Sequence, residues 1–595
     1  MRYTKWFFIC CLVLLFTSAI ITAKENKLPL NFVMQPSITG FDRPSAMAIT
    51  PDGRVYIAER FTGKVFLVRY GKLLATPILT LAVSTSVDEG LLDIAFDRKG
   101  PENGYLYIYY TDASHVNKVV RYTLSGVGAT DAFTVVTLEA SPGASRVGGG
   151  LAVGNDGKIY ISVGDMEDSA DGQNDASSCG KVLRLNPNGT IPADNPTPGS
   201  AIYAKGFRDG VGMASHPDVS TLYNVDRGLS TGYDELNAIA AAGNYGWDIG
   251  TGPLGDPYTD PLDYRMPTIN PSGISSYNGL YYPDADADGT DNDLDGTFDE
   301  RDEMYDDSVF YGHYSSNDII RSVLTGANLD SQDSARSFFD ADIEWDGTAD
   351  TLCPVAWTDL DESPDQMIYG LSEDTVGTKD GLYRFEYDRK GVREVSPPGS
   401  LFPLTLDKAG SNLNVYWENI DYDAWIGTKT GSTQPAQKYT IWEGTLPISG
   451  GTYNHTVKLA TNGTVVNNGL FTTSITPAGG NQYYLVSAQG ANLEGSLGKR
   501  TNGTERTNPR PTMDYCNEIG WYDNELGDAT YESKCDGLDN DSDGSIDESC
   551  AKVRCAPEFR DKLGNPVKLI DQYGNYWSLH DFRGDVIHLD ISSFG

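Results

Sequence analysis

Six short segments in the first two thirds of the chain repeat one pattern, in which a turn precedes an alternating strand centred on an aromatic residue. The copies are Gly53–Ile57, Gly104–Ile108, Gly157–Ile161, Thr221–Asn224, Ser308–Tyr311 and Gln366–Tyr369. A second strand, often ending in Arg, follows most of them: Lys64–Arg69, Lys118–Arg121, Lys181–Arg184, Ile319–Arg321 and Gly381–Arg384. A lone sheet of this kind would leave an apolar face in water, so neighbouring units must stack.

The spacing of the copies, roughly fifty to sixty residues with one longer gap, is typical of four-stranded blades around a central channel. We therefore predict a six-bladed β-propeller over residues 30–395. The alternative is an array of β-sandwiches, which would need about seven strands per hundred residues. The composition also favours an all-β fold, because 64 Gly, 30 Pro and 35 Tyr suit short strands joined by tight turns.

The formal charge of −38 limits the partners of the chain. Such a charge repels nucleic-acid phosphates and anionic lipid heads, so we expect neither as a partner. Much of the acidity lies in two Asp-rich runs, which predicts bound cations there.

The first 23 residues have the pattern of an export signal: Arg2 and Lys5, then an apolar stretch from Trp6 to Ile21, then Ala23. An uncleaved membrane anchor is the alternative. We expect cleavage near Ala23, a periplasmic or extracellular protein, and no membrane span in the remaining chain. Six cysteines then remain in an oxidising compartment, which predicts disulfides of unassigned pairing: Cys179, Cys353, Cys516, Cys535, Cys550 and Cys555.

After Pro397-Pro398-Gly399 the pattern changes. Leu413–Trp417, Tyr439–Trp442 and Gln482–Val486 look like the B, C and F strand regions of a fibronectin type III-like sandwich over residues 400–508. We expect this domain to act as a spacer or to bind a protein partner.

Several motifs resemble the glucose/sorbosone dehydrogenase family, and they follow one another in that family's order. They are Gly90–Phe96, Gly148–Leu151, Asn155–Tyr160 with Gly164-Asp165, Gly180–Gly189, Gly206–Asp209, Asp234–Asn237 with Gly243–Trp247, and Pro267–Gly273. The resemblance implies a six-bladed propeller that holds pyrroloquinoline quinone and Ca²⁺ at the channel mouth and oxidises a sugar. A His base takes the hydroxyl proton, an Arg assists, and the cation stabilises charge on the quinone.

Carried onto this sequence, the resemblance places Arg208 on the assisting Arg, and Gly228 and Leu229 on the backbone carbonyls that bind the cofactor's calcium. Arg146 stands where the family has its catalytic His, and Arg cannot act as a base near neutral pH.

Two further positions depart from the family: Ser315 stands near an expected Lys, and Thr358 lies where an Arg pair is expected. Without those cations, binding of the quinone carboxylates would be weak. His313 lies in a predicted loop. It is either a relocated base facing the channel or an ordinary exposed histidine.

The first Asp-rich run, residues 284–303, fills the longest gap between repeats and predicts a calcium-binding insertion. Asp at alternate positions followed by Gly places several oxygens around one cation. The candidate ligands are Asp284, Asp286, Asp288, Asp291, Asp293, Asp295, Asp299 and Asp302. A solvated acidic loop is the alternative.

The second run lies in residues 516–551 and resembles a short metal-binding module of exported bacterial proteins. Its candidate ligands are Asp539, Asp541, Asp543, Asp547 and Glu548. Hard oxygen donors favour Ca²⁺ over zinc.

Residues 553–595 resemble the opening of a redoxin-type, thioredoxin-like domain. The chain ends at Gly595, about where the Cys-x-x-Cys motif of such a domain begins. A fragment of this length cannot bury a core of its own, so we expect a truncated segment, cut at an in-frame stop or a selenocysteine codon.

Two functions remain open from the sequence. The first is a secreted quinone-dependent oxidoreductase acting on an aldose or another small polar substrate. The second is a non-catalytic, calcium-stabilised propeller that binds carbohydrate or a protein partner.

Overall fold

The computed structural model describes residues 28, 32–97, 104–140, 145–266, 268–279, 282, 305, 307–315, 317–339, 356–373, 380–387, 395–396, 400–420, 426–427, 438–445, 454–489, 569–570 and 576–577. Strands dominate these residues, and one short 3₁₀ helix, Ser169–Gln173, is the helical element among them. The all-β expectation is confirmed. The described residues contain no helix with the length and hydrophobicity needed for a membrane crossing.

Strands are numbered along the chain, beginning with β1 (Phe32–Thr39). The first three antiparallel sheets follow one another in sequence. The first contains β2 (Pro44–Ile49), β3 (Val55–Glu59), β4 (Lys64–Arg69) and β5 (Lys72–Leu73), with β6 (Leu79–Thr80) also paired to β4. The second contains β7 (Leu91–Asp97), β8 (Tyr105–Thr111), β9 (Val116–Ser125) and β10 (Gly128–Ala140). The third contains β11 (Gly148–Val153), β12 (Ile159–Val163), β13 (Lys181–Leu185) and β14 (Ile202–Lys205).

Three more sheets complete this part of the chain. The fourth contains β15 (Gly210–Ser215), β16 (Leu222–Asp226), β17 (Asp234–Ala238) and β18 (Asp263–Arg265). The fifth contains β19 (Pro271–Tyr277), β20 (Ser308–His313), β21 (Ile319–Thr325) and β22 (Ser331–Phe339). The sixth contains β23 (Trp357–Glu362), β24 (Ile368–Ser372), β25 (Gly381–Tyr387), then β1 and β28 (Ile426–Gly427).

The first strands of the six sheets line a common channel. Each of β2, β7, β11, β15, β19 and β23 packs against the next, and β23 packs against β2, so the described sheets form a closed ring, a β-propeller. Neighbouring first strands belong to different sheets, so their backbone N–H groups need other acceptors. Carboxylates supply them: Asp359 accepts from Met47 N at 2.7 Å, and Asp361 accepts from Ile49 N at 2.8 Å.

The repeats of the sequence form the second strand of all six sheets and the third strand of every sheet but the fourth. All five residues of β3, β12, β16 and β24 are buried, because both faces of a sheet inside the ring are covered by neighbours. β1 forms the outer part of the sixth sheet, where Phe32 lies opposite Tyr387 and Thr39 opposite Gly381.

The described strands between residues 405 and 489 form two facing sheets that share a core, a β-sandwich. One sheet has the order β26 (Thr405–Ala409), β27 (Asn412–Glu418), β32 (Leu470–Ile475), β31 (Thr464–Asn467), and the other β30 (Asn454–Thr461), β29 (Lys438–Thr445), β33 (Gln482–Gln489). The three strand regions expected from the sequence lie in β27, β29 and β33. A last pair, β34 (Leu569–Ile570) with β35 (Tyr576–Trp577), lies within residues 553–595.

Several sequence expectations lie outside the described residues. These are the export signal at 1–23, the Asp-rich runs at 284–303 and 516–551, all cysteines except Cys179, and most of 553–595. Cys179 is buried, and its thiol donates a hydrogen bond to Glu139 Oε2 at 3.3 Å. Burial and the Glu139 carboxylate raise the pKa of the Cys179 thiol to about 12.

Candidate mouth site

The channel carries a small cavity at the end where the first strands begin, which we call the mouth. Its volume is about 60 Å³, enough for a few waters. Gly148, Gly149, Asp209, Arg227 and Thr358 line it, together with Ser45, Arg60, Asp88, Leu92, Val211, Ser272, Tyr314 and Glu373. The lining thus includes close sequence neighbours of Arg146, Arg208, Gly228 and Ser315, four positions that the family resemblance singled out.

Arg146 lies directly before β11, at the expected position of the base, and is held in an ion pair. Its Nε lies 3.1 Å from Asp165 Oδ1, and the Asp165 side chain is fully buried. Trp247 Nε1 donates to the other carboxylate oxygen at 2.8 Å. Burial raises the pKa of Asp165, while Trp247 and Arg146 act in the opposite direction. The pair fixes the guanidinium where the resemblance predicts a proton acceptor.

Arg208 is joined to the same group. Its carbonyl accepts from Asp165 N at 2.8 Å, and its guanidinium lies 5.7 Å from the Trp247 ring. Arg208 Nη1 donates to the carbonyls of Arg227 at 2.9 Å and Gly228 at 2.7 Å. The structure therefore brings Arg146, Arg208 and Gly228 together through Asp165 and Trp247.

The calcium-binding carbonyls implied by the resemblance are engaged within the protein. Gly228 O accepts from Arg208, and Leu229 O accepts from Gly232 N at 2.8 Å. Gly228 is required here, since a Cβ would lie 1.9 Å from Tyr233 O. A cation bound to Gly228 O would also lie against the Arg208 guanidinium and be repelled by it.

Buried carboxylates support this side of the mouth. Asp226 accepts from the backbone N–H groups of Arg208 at 2.9 Å and Asp209 at 2.6 Å. Asp234 accepts from Gly228 N at 2.7 Å and from Ile269 N at 2.6 Å. Burial raises the pKa of both carboxyl groups. These contacts position the loops around the mouth.

Two arginines, Arg43 and Arg60, lie near the part of the mouth lined by Glu373 and Tyr314. Arg43 pairs with Glu373, and Arg60 donates to the Glu89 carbonyl at 3.1 Å. Burial and the nearby Arg227 lower the pKa of Arg60. Tyr314 lies in the mouth lining beside these groups, and burial raises the pKa of its hydroxyl.

The positions expected to carry quinone-binding cations have small polar side chains. Ser315 Oγ accepts from Asn270 Nδ2 at 2.6 Å, and Thr358 Oγ1 donates to Leu371 O at 3.2 Å. Neither side chain supplies a positive charge.

His313 is not in a loop, as the sequence suggested, but ends strand β20 opposite Pro271. It is 3% exposed and is absent from the mouth lining. Burial, with a contribution from Arg265, lowers its pKa to about 3, so the imidazole is neutral at pH 7. The expectation of an exposed histidine is wrong, and its position gives no support to a base at the mouth.

The quinone and calcium implied by the resemblance do not fit the described residues. Ligand cavities typically measure about 300–1,000 Å³, several times the volume of the mouth. The base position holds a paired guanidinium, one calcium carbonyl is bonded to Arg208, and the anchoring cations are missing. We therefore derive no step through this cofactor.

The rest of the channel is a larger cavity of about 1220 Å³ that includes none of the predicted catalytic or cofactor-binding residues. Its lining contains seven carboxylates and no Lys, Arg or His: Asp93, Asp97, Asp218, Asp307, Asp359, Asp361 and Glu362.

Sequence reasoning missed much of the mouth. Asp165 and Trp247 were visible as parts of motifs but carried no assigned role. Arg60, Asp88 and Glu373 come from different sheets and become neighbours only when the ring closes. No local sequence signal marks them.

Comparison with known proteins identifies the relatives of the chain. The sequence profile described as Glucose / Sorbosone dehydrogenase matches residues 41–290. The uncharacterized protein slr1608 of Synechocystis is 33% identical over 309 residues, covering 45% of this chain and 74% of the relative. Quinoprotein glucose dehydrogenase B of Acinetobacter calcoaceticus is 30% identical over 285 residues, covering 42% of this chain and 58% of the relative.

A solved structure of similar shape is the PQQ-bound form of aldose sugar dehydrogenase from Streptomyces coelicolor. It is 23% identical, with a TM-score of 0.48, and the alignment covers 60% of this chain and 99% of that one. The profile match and the relative that is one third identical over most of its length agree with the motifs at the mouth. The chain belongs to the glucose/sorbosone dehydrogenase family.

Proposed function

We propose that this chain is a non-catalytic member of its family that binds carbohydrate at the mouth of the propeller. The ion pair between Arg146 and the buried Asp165 carries the proposal. Oxidation of a sugar hydroxyl needs a group that accepts its proton, and a guanidinium held by a carboxylate is a donor only.

The mouth lining supports a polyhydroxylated ligand. A sugar hydroxyl both donates and accepts, so it suits a surface on which acceptors and donors alternate. Asp88 and Glu373 supply acceptors, Arg60 and Arg227 supply donors, and Tyr314 supplies a hydroxyl, all around one opening. Since the cavity is small, the sugar ring would lie across the opening, with one or two hydroxyl groups inside it.

The test measures binding and turnover separately on the full chain. Calorimetric titration with aldoses and oligosaccharides is expected to show saturable binding that Glu373→Gln weakens about tenfold. Asp194→Asn is a matched control, because Asp194 is an exposed carboxylate that pairs with Arg184 away from the mouth. Titration with pyrroloquinoline quinone and Ca²⁺, followed by dye reduction with the same aldoses, is expected to give neither quinone binding nor turnover.

Saturable quinone binding with sugar-dependent dye reduction would overturn the proposal and favour the oxidoreductase. Absence of sugar binding would also refute it, and would leave a protein partner as the ligand of this face.

The wider setting is part of the same proposal. We propose that the six sheets are the blades of a six-bladed propeller and that the sandwich is of fibronectin type III type. The N-terminal pattern of residues 1–23 supports export, and alternate Asp residues in 284–303 and 539–548 support Ca²⁺ binding.

A further inference from the structure

The β-sandwich is built onto the seam where the ring of sheets closes. The seam lies between the first sheet, which β2 begins, and the sixth sheet, which β1 extends. Sandwich residues contact both sides of it. We propose that the sandwich holds the ring of sheets closed by binding both the first and the sixth sheet, a role that we call the clasp. The face that it turns to the seam is therefore unavailable to a separate protein partner.

Strand β1 belongs to two cores at once. Successive side chains of a strand point to opposite faces, so one strand can serve two layers. Phe32, Met34 and Ile38 lie in the core formed by the first, fifth and sixth sheets. Val33, between them, is fully buried in the sandwich core with Trp417. Without the sandwich, Val33 would lie on an uncovered apolar surface of the sixth sheet.

A buried ionic group joins the sixth sheet to the sandwich. Arg384 of β25 bonds to Glu418 of β27 and lies 3.4 Å from Glu386, and all three side chains are fully buried. Arg384 Nη2 also donates to Gln35 Oε1 and to Asn419 O, both at 3.2 Å. A buried charge is stable only when it is paired and hydrogen-bonded, so the Arg384 environment requires both domains.

The other side of the seam is held by a second set of contacts. Lys72 of the first sheet lies 3.1 Å from Asp407 Oδ2 and 3.1 Å from the centre of the Tyr416 ring. Asn467 Nδ2 donates to Gly71 O at 2.7 Å. The Phe402 ring lies against Gly71, where a Cβ would approach within 2.4 Å. The sandwich thus contacts the first sheet as well as the sixth.

The clasp predicts that the two domains unfold together. In the full chain, Glu418→Gln keeps the shape of the side chain and removes its charge. We expect its melting temperature to fall by several degrees. Hydrogen exchange should rise in residues 32–39 and 381–387 of the propeller as well as in the sandwich. Calorimetry of the unchanged chain should give one transition for residues 32–489.

Glu443→Gln is the matched control. Glu443 pairs with Lys458 inside the sandwich at 2.8 Å, and its exchange effect should stay within the sandwich strands. If Glu418→Gln fails to fold, Asn467→Ala tests the other side of the seam, and exchange should rise in residues 64–73. Two independent transitions, or exchange changes confined to the sandwich in both seam variants, would overturn the proposal.

Discussion

At the residue scale, the mouth is shaped by glycines that allow backbone segments to approach one another. Gly148 has a φ of +78°, and a Cβ there would lie 2.5 Å from Gly164 N and 2.6 Å from Ser162 O. The residue therefore meets two requirements, a left-handed backbone and a close approach between β11 and the end of β12, which only glycine satisfies together.

Gly148→Ala is expected to destabilise the chain by about 2–4 kcal/mol, because a left-handed alanine costs about 1 kcal/mol and the backbone overlap adds the rest. Urea unfolding followed by fluorescence measures the loss. Gly126→Ala is the control, since Gly126 has a φ of +60° with nothing within 4 Å of its Cβ position. It should lose only about 1 kcal/mol. Equal losses in the two variants would show that the close approach is unimportant.

At the element scale, the sequence predicted some strands of each sheet better than others. All six second strands and five of the six third strands were found, because buried aromatic and β-branched residues mark them; β17, the third strand of the fourth sheet, was not among the repeats. The first strands were not found as strands. In β11, β15 and β19 they contain glycines at contacts with the neighbouring sheet: Gly150 lies against Met213 and Gly273 against Asp359. Because a glycine in a sequence usually indicates a turn, the sequence did not predict that these segments are strands of the channel wall.

The candidate site was predictable to a similar degree. The order of the family motifs placed Arg146, Arg208 and Gly228 near one mouth, and the structure brings them together. The bond between Arg208 and the Gly228 carbonyl, and the pairing of Arg146 with Asp165, depend on side-chain geometry between sheets, which the spacing of residues does not encode.

The buried carboxylates at the seam predict that the stability of the fold depends on pH. Burial raises the pKa of Asp361 to about 7, and Asp359 and Glu362 beside it are also shifted upward. A carboxyl group whose pKa is raised by folding stabilises the fold when protonated. Its contribution is complete below about pH 4 and is lost as pH rises through about 7.

Asp361→Asn keeps an oxygen for the Ile49 N–H group and removes the charge. It should stabilise the chain at pH 8 by about 1–3 kcal/mol and have little effect at pH 4.5. Urea unfolding across this pH range measures both values. Asp112→Asn is the control of opposite sign: burial alone would raise the pKa of Asp112, but hydrogen bonds from Lys118 and backbone N–H groups lower it. A destabilised Asp361→Asn at pH 8 would contradict the expectation.

At the scale of the whole molecule, the net charge of −38 produces self-repulsion that disfavours the compact state. If the Asp-rich runs bind Ca²⁺, the folded chain should gain about 2.7 kcal/mol at a free concentration one hundred times the dissociation constant. The melting temperature should rise with Ca²⁺ and return to its starting value with a chelator. Mg²⁺ at equal ionic strength is the control, and an unchanged melting curve would indicate solvated acidic loops.

The position of β1 also determines when the sixth sheet can be completed during synthesis of the chain. Phe32 emerges from the ribosome early, yet its partner Tyr387 follows only after five sheets have been translated. Strand Phe32–Thr39, which carries the buried side chains of Phe32, Met34 and Ile38, stays without this partner throughout that interval. Contacts so distant in sequence form slowly, and the waiting edge is open to wrong pairing. We therefore expect the architecture itself to make the nascent chain depend on chaperones until the sixth sheet is complete.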